Sequence, residues 1–132
     1  MNEATENKQL IQQIFDQFSA GDSRPFVERL ADDVTWTVMG HTRWSKTYRG
    51  KEAVLNDLLG QLSLQLADRY RSTAERIIAE GEFVVVQARG HATTKAGVPY
   101  NNEYCFILRL SGGSIKEVTE YLDTELVTSA LD

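Results

Sequence analysis

Between Glu3 and Ala20 the apolar residues Leu10, Ile11, Ile14, Phe15 and Phe18 recur at helical spacing. That stripe predicts an amphipathic helix, ended by Gly21. Asp22 is placed to cap a short second helix, with Pro25 in its first turn and Phe26, Val27 and Leu30 on its buried side. Asp32 and Asp33 break that helix, and Val34 to Met39 alternates as a strand. Gly40 to Gly50 reads as a loop carrying His41, Trp44 and Tyr48. A leucine-rich third helix follows, from Lys51 to about Leu64.

From Arg69 onward the period shortens to that of extended chain. Four strands are expected: Ser72 to Ala79, Phe83 to Thr94, Tyr100 to Leu110, and Ile115 to about Asp123. Glu80-Gly81-Glu82, Lys95 to Pro99 and Ser111-Gly112-Gly113 separate them, each with a glycine where a hairpin needs positive φ. The tail from Thr124 is read as a last helical turn. Helices followed by a run of antiparallel strands define an α+β fold. The last four strands are long enough to coil around the third helix.

Composition narrows the partners. The 132 residues suit one domain spanning 1–132. A net charge of −5 lacks the basic footprint of a nucleic-acid surface. No apolar run approaches the ~20 residues of a membrane span, and no charged-then-apolar leader opens the chain. Cys105 is the single cysteine, so no internal disulfide forms, and a cytoplasmic protein is expected. His41 and His91 lack metal-ligand spacing, and no phosphate loop, nucleophile elbow or paired-cysteine motif occurs. No metal and no cofactor are expected.

Three segments carry a resemblance that spans nearly the whole chain. They are Leu30-Ala31-Asp32-Asp33-Val34-Thr35-Trp36, Tyr48-Arg49-Gly50-Lys51-Glu52-Ala53-Val54, and Gly113 through Thr124 with its Val118-Thr119-Glu120-Tyr121-Leu122-Asp123 core. In this order they resemble the nuclear transport factor 2-like superfamily, in its SnoaL-like and ketosteroid isomerase-like branch. The resemblance implies a cone-shaped α+β barrel. Three N-terminal helices would pack on a strongly curved antiparallel sheet around a closed small-molecule pocket. It leaves the substrate open, because the fold hosts many activities.

Matched to the family's pocket-facing positions, the resemblance implies one set of side chains on each strand. These are Trp36 and Val38 on the first strand; Val85, Gln87, Arg89 and His91 on the strand from Phe83; Tyr100, Asn102, Tyr104, Phe106 and Leu108 on the next; and Val118, Glu120 and Leu122 on the last. A bulge in the strand from Phe83 would reverse its set. The positions of the ketosteroid isomerase aspartates look like Val38 and Phe106, so steroid isomerisation is not expected. Of the limonene epoxide hydrolase set, at Gln87, Arg89 and Glu120, only the last keeps a carboxylate. SnoaL-like cyclases place an acidic base near the end of the last strand, where Glu120 and Asp123 stand.

Glu120 is the candidate base: among apolar and aromatic neighbours, desolvation raises a carboxyl pKa toward a useful value. The competing reading is a buried Arg89–Glu120 ion pair. Arg89 would otherwise hold a substrate anion through its planar fork, and His91 is a candidate acid or base or an exposed strand-end residue. Asp123 reads as a base at the pocket mouth or as a helix cap. Trp36, Val38, Gln87, Asn102, Tyr104, Phe106 and Leu122 complete the expected binding wall. Trp44 and Tyr48 are lid candidates, and Cys105 is structural. Three functions fit: a cofactor-independent isomerase, cyclase or dehydratase acting on a small apolar or aromatic metabolite; a non-catalytic binding module; or an interaction domain with a vestigial pocket. Each is expected as a homodimer through the outer sheet face, where Cys105, Ile107 and Tyr121 lie.

Overall fold

The computed structural model describes residues 2–132. Helix α1 spans Glu3–Ser19; the Asn2 side chain accepts the Thr5 N–H at 2.8 Å, and Glu3 and Glu6 sit in its first turn, where the helix dipole favours negative charge. Its stripe buries Ile11, Ile14 and Phe15. Helix α2, Arg24–Arg29, starts with Pro25 in its first turn, and Asp22 accepts the Arg24 backbone N–H. The chain then passes without a loop into strand β1, Leu30–Val38, so Asp32 and Asp33 lie on a strand rather than in a break.

The expected loop between Gly40 and Gly50 contains a further short strand, β2, Thr47–Arg49, paired antiparallel to β1. Three residues were too few to register as an alternating pattern. Residues 51–65 form one helical rod: α3 Lys51–Ala53, a π-helical stretch Val54–Leu59, and α4 Gly60–Gln65. The wider turn puts the Leu55 carbonyl only 2.7 Å from where a Cβ on residue 60 would stand, and glycine fills that position. Strands β3 Arg71–Glu80, β4 Phe83–His91, β5 Glu103–Ser111 and β6 Ser114–Leu122 follow. The tail is a formed helix, α5 Thr124–Ala130, capped by Asp123, whose carboxylate accepts the Glu125 and Leu126 N–H groups.

The six strands form one curved, unclosed sheet in the order β2-β1-β6-β5-β4-β3. It is not wholly antiparallel. β1 runs parallel to β6, pairing Trp36 with Val118 and Val38 with Glu120, while the other pairs are antiparallel. Register shifts between Ala74 and Arg76 and between Arg109 and Leu110 interrupt regular pairing; such bulges bend strands. The concave face carries the core, with Phe15 of α1 6.3 Å from Phe106 of β5, and Phe26 of α2 5.8 Å from Trp36 of β1.

The expected phase of β4 is reversed. Directly opposed residues share a face, and the register sets Ala88 against Tyr104, Val86 against Phe106 and Gln87 against Cys105. Val84, Val86, Ala88 and Gly90 therefore face inward and are buried, while Gln87, Arg89 and His91 are exposed on the outer face and Val85 is half-buried there. Small, apolar alternate residues against polar ones were the local signal for this phase.

Gly90 has a specific steric role. A Cβ there would lie 2.0 Å from the Tyr70 hydroxyl and 3.1 Å from Tyr104 Cε2. Tyr70 thus lies over a bare strand position, edge-on to Tyr104 and to Phe18 of α1. Gly90→Ala is expected to lower unfolding free energy by about 1–3 kcal/mol through overpacking. Tyr70→Phe should be nearly neutral, because the Tyr70 hydroxyl is buried without a partner. In urea melts the double variant should recover part of the Gly90→Ala loss; strictly additive losses would refute the steric account.

Candidate functional site

Between the concave sheet face and the helices lies a cavity of about 730 Å³. β1 contributes Trp36 and Val38, β5 Tyr104 and Phe106, β6 Glu120 and Leu122, and the helical rod Leu55, Leu58, Leu59 and Leu62. Its rim is polar, with Asp22 from the connection before α2, Arg24 from the first turn of α2, and Asp68 and Arg69 from the segment preceding β3. Eight aromatic side chains line it: Phe18, Phe26, Trp36, Trp44, Tyr70, Tyr100, Tyr104 and Phe106. The volume and apolar wall suit a drug-sized organic molecule.

Glu120 is the one acidic side chain of the deep wall. It sits on β6 between Val38 of β1 and Phe106 of β5. Trp36 Nε1–H donates to its Oε1 at 2.8 Å. That is the single hydrogen bond to its side chain, and no ion pair reaches it, among the described residues. Burial pushes its pKa from 4.5 up to about 7, against a smaller lowering by the Trp36 hydrogen bond. Near neutral pH the group thus exchanges its proton readily, as general acid/base chemistry requires.

Four phenols lie within electrostatic reach of the carboxyl. Burial raises the pKa values of Tyr70 and Tyr104 well above the usual 10, and the Glu120 charge adds to both shifts. Tyr48 and Tyr100 are raised too, again chiefly by burial. All four therefore stay protonated at neutral pH and serve as neutral hydrogen-bonding groups. Trp44 Nε1, Tyr70 Oη and Ser72 Oγ are buried without partners, and all three residues belong to the cavity wall.

Trp36, Val38, Tyr104, Phe106, Glu120 and Leu122 line the cavity; Gln87, Arg89, His91 and Asn102 do not. Arg89 pairs on the outer face with Glu75 at 3.0 Å and Glu103 at 2.7 Å, so the alternative Arg89–Glu120 pair is not formed. His91 is exposed on that same face because it shares the phase of Arg89. Asn102 is fully buried but acts as a bolt: its Oδ1 accepts the Glu103 and Asp123 N–H groups, and its Nδ2 donates to Tyr100 Oη and the Asp123 carbonyl. Asp123 caps α5.

The sequence reading missed Tyr70, Ser72 and the leucine wall of 55–62 as lining residues. Helical periodicity marked the leucines as apolar without saying that they face a void. Tyr70 lay ahead of the expected strand, and its position depends on the Ser72–Gly90 register. Trp44 lines the cavity, while Tyr48 lies behind it with its hydroxyl donating to the Trp44 carbonyl at 2.8 Å. Among the described residues, no cluster of three or more metal-binding side chains occurs, and no helix is long and apolar enough to cross a membrane.

A helix-backed curved sheet enclosing an apolar cavity is the architecture of nuclear transport factor 2-like proteins. The family model of the SnoaL-like domain matches residues 11–118, and the chain belongs to that family. Among solved structures it is similar to a putative SnoaL-like polyketide cyclase from Jannaschia sp. CCS1, with 18% identity, TM-score 0.79, and 98% of this chain and 94% of that one covered. A nuclear transport factor 2-like protein from Burkholderia xenovorans LB400 shares 22% identity at TM-score 0.72, with 98% of both chains covered. TerC, crystallised with polyporic acid, shares 19% identity at TM-score 0.76 over 93% of this chain and 95% of its own. At these identities the likeness is one of fold. No curated protein matches the chain.

The Glu120 pKa also has a stability consequence. Because the folded-state value is raised, the native protein holds a proton that the unfolded chain releases between pH 4.5 and about 7. Stability therefore falls as pH rises through that window, and the penalty is complete above it. Its size is on the order of 3 kcal/mol, at about 1.4 kcal/mol per pKa unit. Glu120→Gln keeps an acceptor for Trp36, so it should melt like wild type near pH 4.5 and several degrees higher at pH 8. A constant difference between the two melting curves across pH 4.5–8 would show that Glu120 is not desolvated as described.

Proposed function

We propose that the cavity is a working site for cofactor-independent general acid/base chemistry on a small apolar or aromatic metabolite, of isomerase, cyclase or dehydratase type. The observation that carries this reading is Glu120: a carboxyl buried in an aromatic cavity, held by one hydrogen bond from Trp36, with no cation to neutralise it. In this reading Glu120 takes the substrate proton. Tyr104, on the adjacent strand and diagonal to Glu120, is a neutral donor to a substrate oxygen. Arg89 and His91 play no part in the chemistry, since both lie on the outer face. The small-molecule context of the relatives, a putative polyketide cyclase and a protein crystallised with polyporic acid, agrees with an organic ligand.

The second reading is a binding module in the same cavity. A cavity bordered rather than filled by Trp36, Tyr104 and Phe106 supports these two readings over an interaction domain with a vestigial pocket. A thermal-shift screen of aromatic and polyketide-like compounds, followed by turnover assays of the hits, separates the first two. Under the enzyme reading, Glu120→Gln lowers kcat by about 10²–10⁴-fold. The wild-type rate is lost as pH falls below an inflection near 7, because the base form disappears. Ligands that bind but are never turned over would leave the binding module.

The outer sheet face is proposed as a homodimer interface. One uncharged row crosses it strand by strand: Ile78, Val85, Ile107, Thr119, Thr37 and Thr47. Tyr121 and Phe83 are exposed beside it. Light scattering is expected to give twice the 14.9 kDa chain mass, and Ile107→Arg to return the monomer. A concentration-independent monomer in wild type would refute the interface.

A further inference from the structure

The electrostatic polarity of the cavity restricts its ligand. Among the described residues Glu120 is the only charged group on the deep wall, and the cationic side chains Arg24 and Arg69 stand at the rim. There Arg24 is already held by Asp22, through Nε–Oδ1 at 2.9 Å and Nη2–Oδ2 at 3.0 Å. Trp36 from β1 donates to Glu120, and the phenols within electrostatic reach of it are Tyr48 on β2, Tyr70 ahead of β3, and Tyr100 and Tyr104 from β5 and the segment before it. They are all neutral at pH 7. An anionic ligand group there would meet a second negative charge with no counter-ion. A cation would meet a carboxylate lacking its partner, inside walls made of aromatic faces whose quadrupoles attract positive charge.

We infer that the ligand of this cavity is an apolar or aromatic amine, bound as its cation with the nitrogen against Glu120 and the aromatic walls. The inference rests on the proposed function only in taking the cavity to be a small-molecule site. It is compatible with a catalytic Glu120, because a cation beside the carboxyl stabilises its ionised form and so supplies the base at a lower pH than in the free protein. Binding at pH below about 7 then releases the proton that Glu120 carries when the cavity is free.

The test uses three ligands of one shape on the full chain: naphthalen-2-ylmethylamine, naphthalen-2-ylmethanol and 2-naphthoate, titrated calorimetrically at pH 7.5 and pH 5.5. The amine is expected to bind wild type at least about tenfold more tightly than the alcohol, with the carboxylate weakest. At pH 5.5, amine binding should release a proton, seen as a dependence of the binding heat on the buffer's ionisation enthalpy. Glu120→Gln should bring the amine and alcohol within about twofold of each other, chiefly by weakening the amine. Thermal melts of this variant at pH 5.5 and 8 check that it is folded.

Equal binding of amine and alcohol to wild type would overturn the amine assignment and leave the cavity reading standing. So would an amine preference that survives Glu120→Gln, which would place the attraction at the rim acids Asp22 and Asp68 instead. Failure of all three probes to bind would overturn the cavity reading together with the inference.

Discussion

One hydrogen bond, from the Trp36 indole to the Glu120 carboxyl, organises the centre of this molecule. A carboxyl removed from water and given no cation is costly, and ordinarily such a group is paired or replaced. Here a single neutral donor meets one oxygen, in a cavity walled by leucines and aromatic rings. Burial carries the carboxyl pKa up to about 7, and the Trp36 bond offsets a smaller part of that rise. Trp36 serves both ends of this arrangement: its ring packs on Phe26 and Phe106, and its N–H holds the acid in place.

The rest of the fold can be read as the support of that contact. β6 occupies the middle of the sheet, with β1 parallel on one side and β5 antiparallel on the other, so Glu120 is braced by backbone pairing on both flanks. Just beyond it, Asn102 uses both its acceptor and its donor group to tie the start of β5 to Asp123, and Asp123 in turn caps α5. On the opposite side the π-helical turn and Gly60 carry the leucine wall, and Gly90 leaves room for Tyr70. None of Asn102, Asp123, Gly60 and Gly90 lines the cavity, yet each positions an element or side chain that does.

How far this was legible in the sequence depended on the range of the signal. The i, i+3, i+4 stripe of α1 and the inward alternation of Tyr104, Phe106, Val118 and Glu120 are local patterns, and the structure has them. The short strand β2 and the parallel β1–β6 pairing are not local, because they depend on partners tens of residues away. β4 failed for a different reason. Its own residues, Val84, Val86 and Ala88 against Gln87, Arg89 and His91, marked the buried face, but matching by family position selected the other. A one-residue shift in phase exchanges every side chain of a strand between core and solvent. That single shift displaced three candidate site residues at once.

The same shift decides the electrostatics. Had Arg89 faced inward, its guanidinium beside Glu120 would have held that carboxyl ionised and below its ordinary pKa, making a structural ion pair. On the outer face Arg89 is instead engaged by Glu75 and Glu103, while Arg109 is bound by Glu117 and Lys116 by Asp33. These three cations of the sheet are thus committed to acids on the convex side. Among the described residues, the deep concave wall is left with one acid, several phenols and no positive charge to oppose it. An unneutralised acid inside depends as much on that separation of charge between faces as on the cavity itself. The alternation of β4 therefore belongs to the chemistry of the site although only its small, apolar residues face inward.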